Sequence, residues 1–168
     1  MTDNFIQLEK SDVLTLKIRT ADGKETGEVL TFDLEDIELP LRYQELQEAN
    51  KKNHERLRNQ MLIIEKRQDV KGKKLLTKNQ EDEINAFNEF YKREAEIYNM
   101  FLGENGVQKL LNGRKLGWTS LKSIDKIIKT QIAPYLDLTM DNIKNKVKEK
   151  YGTKEENEIE IVDLDEKN

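Results

Sequence analysis

At 168 residues, 36% of them hydrophobic and 37% charged, the chain is sized for one domain with a thin core. Globular chains average ~45–50% apolar and ~25% charged, so this composition points to an elongated helical bundle or to a protein that completes its core with a partner. The net charge of −4 divides into −6 over residues 1–38, +8 over 39–154 and −6 over 155–168, and the absence of cysteine excludes disulfides, thiolate metal sites and cysteine nucleophiles.

Residues 1–11 read as a frayed start. Their acidic beginning, MTDNFIQLEK, lacks the basic-then-apolar order of a signal peptide. No apolar run approaches the ~18 residues of a membrane span. Together with the missing cysteines, this points to the cytosol.

Residues 12–34 read as a β-hairpin. Leu14, Leu16 and Ile18 alternate with polar residues, as do Leu30, Phe32 and Leu34, and period two is the signature of a half-buried strand. A two-residue Asp22-Gly23 loop would set the two apolar stripes on opposite faces. A three-residue loop, Ala21-Asp22-Gly23, keeps them together and pairs Leu14 with Leu30, unless Gly27 forms a second bulge. A hairpin alone is marginal in water, so its apolar face must lie on a helix or on another chain.

The acidic link Glu35–Glu38 leads to Leu39-Pro40, where the first long helix should start, because proline loses no hydrogen bond in a first turn. That helix should run to about Arg67–Asp69 with an apolar stripe of Leu46, Ala49, Leu57, Met61 and Ile64. Asn50 and Asn53 interrupt the stripe, and the polar stretch 50–56 is expected to project into solvent or meet a partner. Val70–Leu76 reads as a basic linker. Thr77 and Gln80 form a capping box for a second helix, followed by three acids that suit the helix N-terminus. The expected stripe of this helix is Ile84, Phe87, Tyr91, Ala95, Tyr98 and Phe101, broadened by Phe90, Ile97 and Leu102. Gly103 should cap its end.

A short helix is expected near residues 105–111, then an Asn112-Gly113 turn and Leu116-Gly117-Trp118. Thr119 or Ser120 should cap a further helix carrying Leu121, Ile124, Ile127 or Ile128, and Ile132. Pro134 should break or kink it. A last helix, with Tyr135, Leu136, Leu138, Ile143 and Val147, should reach Lys150 and display lysines on its outer face. The acidic tail 153–168 contains Ile159, Ile161 and Val162. It reads either as a flexible extension, which its charge favours, or as a short strand that adds to a sheet edge. The fold class is thus mainly α: an N-terminal hairpin region (1–38), an elongated bundle of four to five helices (39–152) and the tail.

The sequence offers no phosphate loop, nucleophile elbow, zinc-protease motif or dinucleotide turn. The one histidine, His54, sits among charged residues and reads as solvated. No carboxylate stands in a run that forecasts desolvation. The acid pairs Asp33/Asp36 and Asp163/Asp165 lack calcium-loop spacing. The chain therefore reads as non-enzymatic, without metal or cofactor. A helix-turn-helix around Gly113–Thr119 would place Lys122, Lys126 and Lys129 on its second helix, with nothing positioned to read bases, and this argues against nucleic acid.

One layout stands out. The hairpin is followed by FDLEDIELPLRYQE and two charged helices. Then come Phe101-x-Gly103-Glu104-x-Gly106, Val107-x-x-Leu110, a glycine turn, and a helix with a lysine-rich end. Over residues 12–152 this resembles the tail assembly chaperones of long-tailed phages and prophages of Gram-positive bacteria. The resemblance implies a partner, the tape measure protein, kept soluble while tail tube protein polymerises around it. It also implies action in the bacterial cytoplasm, absence from the mature virion and, in many members, a longer frameshifted form. It implies no catalytic residue. Candidate partner contacts are Phe101, Leu102, Leu110, Leu116, Trp118 and Tyr135. A homo-oligomer is open through the hairpin edge or the tail. The alternatives are a small regulatory nucleic-acid-binding protein and a structural tail subunit.

Overall fold

The structure, a computed structural model, describes residues 12–151. The expected frayed start and the acidic tail lie outside the described residues. The chain is mainly helical behind an N-terminal antiparallel hairpin.

Strands β1 (Val13–Arg19) and β2 (Glu25–Asp33) form the hairpin. Its loop is the expected three-residue turn. The Gly23 N–H donates to the Thr20 carbonyl at 2.9 Å, the Thr20 N–H donates to the Lys24 carbonyl at 2.8 Å, and Gly23 takes φ +81°. Beyond it the register departs from the simple form. Arg19 faces Glu25, but Leu16 faces Leu30 and Leu14 faces Phe32 rather than Leu30. The cause is a bulge at Gly27, φ +80°, where the Thr26 hydroxyl donates to the Ile18 carbonyl at 3.0 Å and accepts the Glu28 N–H at 3.2 Å. The slip is of two residues, so both apolar stripes stay on one face and Ile18, Leu30 and Phe32 are buried.

Asp36 joins the hairpin to α1 (Leu39–Glu65). Its carboxylate accepts from the Arg42 guanidinium and from the Glu38 N–H, and these bonds, that from Arg42 foremost, hold its pKa below the usual carboxylate value. Helix α2 (Lys78–Leu102) returns antiparallel to α1 and starts at the expected capping box. The Gln80 N–H donates to the Thr77 hydroxyl at 3.2 Å, and the Thr77 N–H donates to Gln80 Oε1 at 3.0 Å. Asn79 Nδ2 donates to the Ile64 and Arg67 carbonyls, satisfying groups left open where α1 ends.

The helix faces differ from the expected stripes. On α2 the buried line is Ala86, Phe90, Glu94 and Tyr98, continuing to Phe101 and Leu102, whereas Ile84 and Phe87 are exposed. Phe87 stacks on Tyr91 at 6.3 Å instead. On α1, Leu46 and Ile64 are buried as expected, but Asn53 joins them, so the polar stretch 50–56 does not simply project into solvent. The two helices meet through a small residue, Ala86, near their linked ends and through a polar pair, Asn53 and Glu94, midway. Hydropathy ranks Ile84 and Phe87 above both.

The turn after α2 gives each residue of Gly103–Gly106 a local reason. Gly103 takes φ +92° and Asn105 φ +55°, conformations that few side chains tolerate. A Cβ on Gly106 would sit 2.5 Å from the Leu102 Cβ, so only glycine allows α3 (Gly106–Leu111) to start there. Asn99 braces the start: its Oδ1 accepts the Val107 N–H at 2.8 Å and its Nδ2 donates to Gln108 at 3.0 Å. The Asn112-Gly113 turn is left-handed at both residues. Helix α4 (Trp118–Ile127) begins one residue earlier than expected. Its N-cap is Gly117, whose N–H donates to the Ser120 hydroxyl at 2.8 Å; neither Thr119 nor Ser120 is the cap.

Pro134 does not break the chain. A π turn, Ile128–Ile132, runs directly into α5 (Ala133–Tyr151). The Ala133 N–H donates to the Ile128 carbonyl, five residues back, and the widened turn accommodates the ring. One hydrophobic core unites hairpin and helices, with Phe101 5.7 Å from Phe32 and 5.6 Å from Tyr43, ring centre to ring centre. Lys146 on α5 donates to Glu35 at 2.7 Å. No described helix is long and apolar enough to cross a membrane.

Candidate partner-binding groove

Between β1 and the α3–α4 turn lies a half-open groove of about 830 Å³. Its depth is apolar: Ile18, Leu30, Leu111 and Ile124 are buried there, with Leu16, Leu110 and Ile127 half-buried above them. Its mouth is cationic, with Lys17 and Arg19 from β1 and Arg114 and Lys115 from the α3–α4 turn, all exposed. No carboxylate lines it. Trp118 stands in the first turn of α4 with 55% of its surface exposed. Lys122, one helical turn on, holds its ammonium 5.4 Å from the indole centroid. A large, half-covered aromatic above an apolar trough is the arrangement of a recognition anchor.

The sequence candidates scatter around this site. Leu110 and Trp118 line the groove, and Leu116 is half-buried against the core. Phe101 and Leu102 are buried under the hairpin, where their apolar surface is already used within the chain. Tyr135 is exposed on α5 and does not line the groove. The residues missed are those of β1, above all Leu16, Lys17, Ile18 and Arg19, and the pair Arg114-Lys115. Their signal was present in two forms. The hairpin stripe demanded a cover, and two adjacent cations sit between glycines beside the only tryptophan.

A second polar constellation lies inside the helices. Glu94 is wholly buried, and Asn53 Nδ2 donates to its Oε1 at 2.7 Å and to the Phe90 carbonyl at 3.2 Å. The other oxygen, Oε2, is sealed from solvent without a protein donor. Desolvation raises the Glu94 pKa, against the pull of Asn53 and of the nearby His54. The Tyr98 hydroxyl donates to Asp125, and burial first, then Asp125, raises its pKa so that it stays a neutral donor. His54 is about half-exposed rather than fully solvated. Its ring packs edge-on against Phe90 at 5.0 Å, lies 6.4 Å from Trp118, and comes within 4.0 Å of Glu94. The constellation ties α1, α2 and α4 together. Among the described residues no cluster of three or more His, Cys, Asp or Glu is placed to hold a metal ion.

The chain matches no known family model, no curated protein and no solved structure.

Proposed function

We propose that the chain is a phage tail assembly chaperone that acts without catalysis and seats an apolar segment of the tape measure protein in the groove between β1 and α4. The observation that carries the reading is Trp118, more than half exposed at the mouth of an apolar trough that the chain's own described residues leave open. The layout from hairpin to lysine-rich helix, and the Phe101–Gly106 turn within it, supply the family expectation. A holder of a long helical client needs apolar surface that can be covered and uncovered, and a thin core with an anchor at its edge suits reversible binding. Release before the tail is complete follows from the same reading, as does action in the bacterial cytoplasm.

The test is co-purification of the tagged protein from cells expressing its native operon, with mass spectrometry of the recovered chains. One very long, helix-rich protein is expected, lost when Trp118 and Ile127 are both replaced by serine in a variant of unchanged circular dichroism. Salt-sensitive recovery of nucleic acid would instead favour a regulatory DNA-binding role. Persistence of the protein in purified particles would favour a structural tail subunit. Either result overturns the chaperone reading.

A further inference from the structure

The groove has an edge as well as a trough. Six consecutive residues of β1 and its turn, Leu16 to Ala21, border it, with side chains from both faces of the strand, while β2 contributes only Leu30. A strand that meets a cavity with both faces meets it edge-on. The hairpin has two strands, so among the described residues this edge of β1 pairs with nothing. An unpaired edge beside an apolar trough is the setting for strand addition, in which main-chain bonds give affinity and alternate side chains give specificity.

The ligand chemistry follows from the lining. Four cations and no carboxylate surround the site, so an added strand should be acidic. Its apolar residues should alternate, to match Leu16 and Ile18 on one face of β1 and Lys17 and Arg19 on the other. The chain carries such a segment itself. Asn157-Glu158-Ile159-Glu160-Ile161-Val162-Asp163 sets Ile159 and Ile161 on one side of an extended strand and Glu158 and Glu160 on the other, in a region with a net charge of −6. Arg19 already has Glu25 at 3.5 Å, so Lys17 is the nearer partner for these glutamates.

The reach also fits. Gln131 borders the groove, and the helix carries the chain from there to Tyr151, about 30 Å at ~1.5 Å per residue. Residues 152–161, extended, span roughly 34 Å at ~3.4 Å per residue, enough to return. We infer that in the free protein the chain's own segment 157–163 adds to the β1 edge as a third strand and lays Ile159 and Ile161 in the groove beside Trp118. This goes beyond the chaperone reading and does not rest on it, because it concerns the isolated protein.

Trp118, the only tryptophan, reports occupancy directly. The experiment compares the full-length protein with its full-length Ile159→Asp/Ile161→Asp variant, whose changes fall outside the described fold. Acrylamide quenching of Trp118 should rise about twofold in the variant, with a red shift of its emission, as an indole loses apolar cover. A synthetic peptide of residues 155–166, added to the variant at low salt, should reverse both changes. It should fail to do so when the variant also carries Lys17→Glu and Arg114→Glu, with circular dichroism confirming that each protein is folded. Equal quenching in the parent and the variant overturns the inference. Protection that appears only as protein concentration rises also overturns it, by assigning the segment to a second copy.

Discussion

The contact between α1 and α2 has two halves built on different chemistry. Near the hairpin it is apolar and aromatic, with Leu39, Tyr43, Leu46, Phe101 and Leu102 closing over Phe32. Midway it turns polar, and Asn53, Glu94, Tyr98 and Asp125 bond across three helices. The apolar half supplies burial, which is strong and undirected. The polar half supplies geometry. Asn53 meets Glu94 in one axial alignment of α1 and α2, and any sliding leaves a buried carboxyl without its donor. One half holds the helices together, and the other fixes where they stop.

Removing apolar bulk should have the largest effect. Phe101→Ala is expected to cost about 3–5 kcal/mol of unfolding free energy, measured by urea titration, because the ring sits between Phe32 and Tyr43 with nothing mobile to fill the space. In the polar half, Asn53→Ala should cost about 1–3 kcal/mol, the penalty of a buried acceptor left unpaired. A cost as large as that of Phe101→Ala would erase the distinction between the halves. Gly106→Ala should cost a comparable 1–3 kcal/mol, roughly what overpacking exacts, because the new methyl meets Leu102 Cβ at 2.5 Å.

The polar half should also carry a pH signature. The Glu94 pKa is raised above its ordinary 4.5, so between the two values the fold holds a proton that the unfolded chain has lost. Stability from this group is therefore present below pH 4.5, falls as pH rises through the folded value, and is flat beyond it. Glu94→Gln should lose that downward slope, gaining on the parent protein as pH rises, in denaturation midpoints measured from about pH 4 to 8. A parallel pair of profiles would count against a desolvated carboxyl. The smallest stability effect is expected at the groove. Trp118→Ser should change unfolding by less than about 0.5 kcal/mol, since the indole is mostly exposed, while abolishing partner recovery.

What could be read from the sequence was what is decided locally. The Ala21–Gly23 loop, the Thr77 capping box and the start at Leu39-Pro40 depend on residues within one turn of each other. The hairpin register was half legible: the glycine at 27 marked a bulge site, but only the paired strands fix the slip it introduces. The polar seam was not legible, because hydropathy treats Asn53 and Glu94 as surface until α1 and α2 are seen face to face. The groove was legible from one side. Leu110 and Trp118 announced themselves between glycines, whereas the β1 wall was assigned wholly to core, and only the packed hairpin leaves its edge uncovered.

The widened turn at Ile128–Ile132 has a consequence for how the chain tolerates change. It behaves as a one-residue insertion that the helix has absorbed without interruption. Deleting Thr130 would let the turn close into ordinary α-helix and would rotate everything after it by about 100° about the axis. Leu136 would swing out of the core, and Lys146 would leave Glu35. The angular phase of α5, more than its length, keeps it against the hairpin, so single-residue deletions here should be far more damaging than substitutions at the same positions.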